Sequence, residues 1–155
     1  MKVKLELVTR NNWVDALKLR IKDSQCKFTP EVAVSLAKVY IKPDGDNVEY
    51  IPFAIYAHET LVGFIMHAYE EDTTNMYWIN GLLIDERYQG KGYGKAAMLE
   101  IIHWIKTKFP QCKEIRLTVY KDNEVARKLY KNLGFLPTGE VLGEEDVFYL
   151  SVRRV

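Results

Sequence analysis

Residues 2–8 alternate, with Val3, Leu5 and Leu7 facing one way and Lys2, Lys4 and Glu6 the other. That is the period of a half-buried strand. Asn11 and Asn12 then offer a helix N-cap, and Trp13, Ala16, Leu17, Leu19, Arg20 and Ile21 continue at helical spacing. A second helix is expected after Pro30, through Val32, Leu36, Val39 and Tyr40, until Pro43-Asp44-Gly45-Asp46-Asn47 breaks the pattern. Three strand-like stretches follow, at residues 52–57, 61–69 and 76–84, separated by His58-Glu59-Thr60 and by the polar residues 70–75. Connections this short predict antiparallel pairing. A long helix is expected over residues 92–108, burying Ala97, Met98, Ile101, Ile102 and Ile105 with Phe109, and Pro110 ends it. Residues 114–119 read as a strand. Asn123 caps a helix that puts Ala126, Leu129, Tyr130 and Leu133 on one side, and Gly134 stops it. Residues 146–152 read as a last strand, with one more strand optional before it. The order β-α-α-β-β-β-α-β-α-β(-β) predicts an α/β fold with a mixed, mostly antiparallel sheet flanked by helices. There is no repeat and no linker, so residues 1–155 are read as a single domain.

Composition narrows the classes. At 155 residues, 48% hydrophobic and 28% charged, the chain is expected to bury a substantial core. Its 22 basic and 21 acidic residues leave a formal charge of +1, which gives no support for a nucleic-acid binder. No apolar run approaches the ~20 residues of a membrane span, and the N-terminus has no signal-peptide core. Cys26 and Cys112 form no C-x-x-C pair and, with three scattered histidines, no metal signature. They are expected to be free core thiols in a reducing cytoplasm.

The chemistry concentrates in Leu82-Leu83-Ile84-Asp85-Glu86-Arg87-Tyr88-Gln89-Gly90-Lys91-Gly92-Tyr93-Gly94-Lys95. An apolar strand feeds a loop with alternating glycines, and the loop opens a helix. Glycines let backbone N–H groups approach an anion, the helix start adds partial positive charge, and Lys91 and Lys95 add full charges. The segment reads as a phosphate or pyrophosphate cradle. A Walker A loop is excluded, because the spacing is one residue short and Ala96 stands where Ser or Thr would hold magnesium. A dinucleotide fingerprint can be read from Gly92, Gly94 and Ala97, with Glu114 as the acid that contacts ribose. A helix start with flexible glycines and no ligand is the plain alternative.

The stretch from Gln89 to Gly94 fits a Q/R-x-x-G-x-G/A signature, and Asn123 to Phe135 fits N-x-x-A-x-x-x-Y-x-x-x-G-F. Together, in this order, they resemble the GNAT superfamily of N-acetyltransferases, and the element order extends the likeness over the whole chain. Further segments (Phe53-Ala54-Ile55-Tyr56, Val62-Gly63-Phe64, Tyr77-Trp78-Ile79, Ile84-Asp85, Thr138-Gly139-Glu140 and Gly143-Glu144) resemble the bacillar spermine/spermidine N-acetyltransferases. After Trp78 the chain departs from them, with Asn80-Gly81 where a basic residue is expected.

The resemblance implies acetyl transfer from acetyl-CoA to a small-molecule amine, with a polyamine as the expected acceptor. Another amine (a protein N-terminus, amino sugar or amino acid) or a non-catalytic CoA-binding role are the alternatives, and a homodimer is allowed. It implies that the backbone of Leu82, Leu83 and Ile84 holds the pantetheine arm, and that residues Gln89, Gly90, Lys91, Gly92, Tyr93, Gly94 and Lys95 wrap the pyrophosphate. It also implies that Asn123 contacts the cofactor and that Tyr130 protonates the departing thiolate. Some relatives place a basic Glu where this chain has Thr118, so no general base is readable. Glu70-Glu71-Asp72 and the acidic group Glu140, Glu144, Glu145 and Asp146 are the carboxylates expected to meet a polycation.

Overall fold

The computed structural model describes residues 2–152. Seven strands form one sheet in the order β1-β2-β3-β4-β5-β7-β6. In chain order they are β1 (Lys4–Leu7), β2 (Val48–Ala57), β3 (Thr60–Glu70), β4 (Tyr77–Ile84), β5 (Glu114–Tyr120), β6 (Leu136–Leu142) and β7 (Glu145–Ser151). The helices are α1 (Trp13–Leu17), α2 (Val32–Ile41), α3 (Tyr93–Lys108) and α4 (Glu124–Asn132). The expected mixed sheet is present. Every neighbouring pair is antiparallel except β4 and β5, which are parallel and joined by the α3 crossover such a pair requires. The optional strand is real: it is β6, the sheet edge beyond β7.

The two faces of the sheet carry separate cores. Ala97, Met98, Ile101 and Ile105 of α3 pack with Ile115, Leu117 and Val119 of β5, and the apolar side of α4 leans on the same cluster. On the other face Ala16, Leu19 and Val32 pack on Tyr50, Phe64, Met66 and Leu83. His67 lies fully buried against Tyr69, Tyr77, Trp104 and Phe109. Burial lowers its pKa to about 4, so the ring is neutral and its Nδ1 donates to the Trp78 carbonyl at 2.8 Å.

Several local expectations yield to tertiary contacts. The first helix was expected to reach Ile21 but stops at Leu17. Beyond it the Arg20 N–H bonds Asp85 Oδ2 at 3.0 Å and the Arg20 carbonyl accepts from the Glu86 N–H at 2.8 Å. Both groups are thereby withdrawn from a helical ladder. Asn12 does not cap α1; its side chain bonds the Thr9 N–H and the Leu7 carbonyl instead. β2 begins at Val48 rather than at Pro52, which puts Pro52 inside the strand. The Pro52 carbonyl accepts from Val8 N–H just past the end of β1, so the missing proline N–H falls where β2 has become an edge. Only Val32 and Ser35 of α2 are buried; Tyr40, expected on the core side, is 83% exposed. Cys112 is buried as expected, but Cys26 is exposed rather than a core thiol.

Candidate functional site

β4 and β5 meet at a single parallel pairing, Trp78 with Arg116, and then diverge. On its other side β4 is paired with β3, but Phe64 faces Leu83 and Met66 faces Asn80. Two residues of β4, Gly81 and Leu82, therefore oppose one of β3, which is a β-bulge. Gly81 sits at φ +66, and a Cβ there would lie 3.1 Å from Ser35 Oγ and 3.3 Å from the Phe64 ring. Only glycine fits this kink without strain. The bulge and the divergence open a gap in the middle of the sheet.

A cleft of about 910 Å³ runs through this gap. Leu82, Leu83 and Ile84 form one wall, with the edge of β4 free of a β5 partner beyond Trp78. The glycine loop forms one end. Gly90, Gly92, Tyr93 and Gly94 line the cleft, and Gly92 at φ 88 is the residue from which α3 starts. The Cβ direction of Gly90 meets nothing within 4 Å. A side chain at Gly90 would therefore project into open space beside the start of α3. Lys91 and Lys95 are exposed and do not line the cleft. Gln89 lines it, but its amide is engaged as a brace. Gln89 Nε2 donates to the Ile84 carbonyl at 2.9 Å, and the amides of Gln89 and Gln25 exchange bonds at 3.0 and 3.1 Å.

Opposite β4, Asn123 and Tyr130 also line the cleft. Asn123 Oδ1 accepts from the Ala126 N–H at 3.3 Å, so this residue does cap α4. Tyr130 packs its ring against Phe135, and burial pushes its hydroxyl up to about 12, which keeps it protonated and makes it a weaker acid than a free phenol.

Other walls were not anticipated. The segment between α1 and α2 folds over the cleft with Ile21, Gln25, Cys26, Phe28 and Pro30 against it. It is fastened at one end by Asp85 and at the other by the Phe28–Tyr120 ring contact and the Lys27–Asp122 ion pair. Nothing local to the segment signals this; its partners are far away in sequence. Of the acidic groups expected at the acceptor site, only Glu145 lines the cleft; Glu70, Glu71, Asp72, Glu140 and Glu144 do not. Asp146 points to the other face, where Lys121 and Arg127 each approach it at 2.9 Å and hold it below the usual carboxylate range. The dinucleotide reading fails on its acid. Glu114 pairs with Arg116 at 2.7 Å and is not in the cleft.

A family model described as the Acetyltransferase (GNAT) family matches residues 19–135. A Bacillus subtilis (strain 168) spermine/spermidine N(1)-acetyltransferase is 32% identical over 146 residues, covering 91% of this chain and 92% of the relative. Among solved structures, spermidine N-acetyltransferase from Vibrio cholerae in complex with CoA and spermine superposes with a TM-score of 0.72 at 18% identity, over 97% of this chain and 95% of that one. A Salmonella typhimurium acetyl transferase that modifies the N-terminal serine of a ribosomal subunit protein superposes at 0.74 with 12% identity, over 99% and 96%.

Proposed function

The chain belongs to the acetyltransferase (GNAT) family and is an acetyl-CoA-dependent N-acetyltransferase, and from that premise we propose that its acceptor is a polyamine such as spermidine or spermine. The observation that carries this reading is the match, over nine-tenths of the chain, to a relative named for that activity. The cleft supports it with apolar surface from Ile21 and Phe28 for a methylene chain.

The residues fit the cofactor. The free edge of β4 at Leu82, Leu83 and Ile84 presents backbone groups to an extended arm, as an added strand would. The open glycine cradle at residues 90–94 presents N–H groups and a helix start to a pyrophosphate. Asn123 contributes the amide nitrogen that its cap bond leaves over. Acetyl-CoA supplies a thioester carbonyl for attack and a thiolate to depart. Tyr130 donates its proton to sulfur as the C–S bond breaks.

Thiol release from acetyl-CoA, measured against a panel of amines, tests the reading. Spermidine and spermine are expected to exceed a monoamine of equal length by about tenfold in kcat/KM at low salt, through KM, with the advantage shrinking as salt rises. Equal kcat/KM for spermidine and the monoamine, or turnover of an amino sugar or a peptide N-terminus in preference to both, would overturn the polyamine assignment.

A further inference from the structure

A thioester is attacked by a neutral amine, but an alkylamine with a pKa near 10 is an ammonium at neutral pH. The site therefore needs a proton acceptor, and none of the motif residues is one. Among the described residues two carboxylates line the cleft, Glu86 and Glu145. Glu86 opens the turn that leads into the glycine loop, at the pyrophosphate end. Glu145 begins β7 opposite Tyr120 of β5, and Thr118 Oγ1 donates to its Oε1 at 3.2 Å. No described side chain bonds Oε2.

Strand alternation fixes which side of the sheet each group serves. Ile115, Leu117 and Val119 of β5 face the core that α3 and α4 cover, the face that brings Tyr130. Thr118 and Tyr120 face the opposite way, toward Phe28 and the segment between α1 and α2, and Glu145 shares that face. The two faces are joined by the gap between β4 and β5, and residues from both line the one cleft. A base on one side of a central carbonyl and an acid on the other is the arrangement acyl transfer to an amine requires.

We propose that Glu145 is the catalytic residue that takes the ammonium proton of the acceptor, with Thr118 as the residue that positions it. This rests on the acetyl-transfer reading above. An N–H bond of the ammonium breaks and an O–H bond forms at Glu145 Oε2. The freed lone pair forms the C–N bond, the C–S electron pair passes to sulfur, and sulfur takes the Tyr130 proton. The second proton leaving nitrogen restores Tyr130, Glu145 releases its own to solvent, and each turnover sets one proton free. The titratable and charged groups that adjoin Glu145 or share its cleft are Tyr120 on the adjacent strand, Glu144 beside it in the turn, Tyr130 of α4, Lys22 and Lys27 of the segment between α1 and α2, the latter paired with Asp122, and Lys38 of α2.

Glu145→Gln keeps the side chain's size and its bond from Thr118 but cannot take a proton. With the best amine of the panel, kcat/KM is expected to fall about 100-fold near pH 7, a usual share of general-base catalysis. It should recover roughly tenfold per pH unit and regain the loss by about pH 9, as the free amine, which needs no base, becomes abundant. CoA affinity by calorimetry should stay within about threefold, while spermidine binding to the CoA complex weakens about tenfold. Thr118→Val should lower kcat about five- to tenfold without changing the pH slope. Glu145→Gln activity within threefold of wild type at every pH, or a loss that high pH does not restore, would overturn the role of Glu145. The variant-to-wild-type ratio reports on Glu145 whichever amine is preferred, and the preference alone reports on the acceptor. A wild-type protein that acetylates no amine sinks both.

Discussion

Asp85 directly follows β4, is 1% exposed, and joins three parts of the cleft. Its Oδ2 accepts from the Arg20 N–H at 3.0 Å, which anchors the segment between α1 and α2. Its Oδ1 accepts from the Arg87 N–H at 3.0 Å and Arg87 Nε at 2.8 Å, which sets the turn before the glycine loop. Asp85→Asn replaces one of these oxygens by an N–H donor, so that a donor faces a donor at either Arg20 or Arg87. The Arg87 side chain is 66% exposed, so the ion pair itself adds little. The loss of a charge-assisted bond to part-buried backbone, with an unpaired N–H left behind, costs about 2–4 kcal/mol. For a domain of this size that is a fall in Tm of roughly 5–15 °C. Burial on its own would favour the neutral acid, but the bonds from Arg87 and Arg20 outweigh it and hold the folded pKa below the ordinary value. The contribution of the carboxylate is therefore complete above the unfolded pKa of about 4 and disappears as pH falls through the folded value. Calorimetric melts of both proteins should show a constant gap near neutrality that narrows below about pH 4. A Tm within about 2 °C of wild type at pH 7, or a gap that persists unchanged in acid, would refute this assignment of the energy.

Tyr130→Phe keeps the ring packed on Phe135 and removes the proton; kcat should fall roughly 10²–10⁴-fold with CoA affinity nearly unchanged. Turnover within threefold of wild type would move the role to another group. Gly92→Val puts a β-branched residue at φ 88 in the cradle, and CoA should bind at least about tenfold more weakly, on the order of 1.4 kcal/mol. Unchanged affinity in the folded variant would remove the loop from the pyrophosphate site.

Much of the molecule was legible because the governing interactions are short in sequence. The alternation of β5, the periodic apolar face of α3, the Asn123 cap and the glycine turn into α3 each depend on groups within about four residues. The two motifs are of this kind, and the structure places Gln89, Gly90, Gly92, Tyr93, Gly94, Asn123 and Tyr130 around one cleft. The charge of Lys91 and Lys95 is visible in sequence, while their exposure outside the cleft lining is visible only in the structure. The length of α1 was misjudged for a related reason: its periodicity runs on, but Asp85, 65 residues away, takes the N–H that would continue it. Of the gap between β4 and β5 only the glycine at the bulge, Gly81, is local; the loss of pairing lies between strands separated by the whole of α3. The amide pair of Gln25 with Gln89 and the Thr118–Glu145 bond span 64 and 27 residues. A chain's propensities report what its backbone does over one or two turns. Which side chains converge on a shared volume is set by register and packing across the sheet, and that information exists only once distant segments have met.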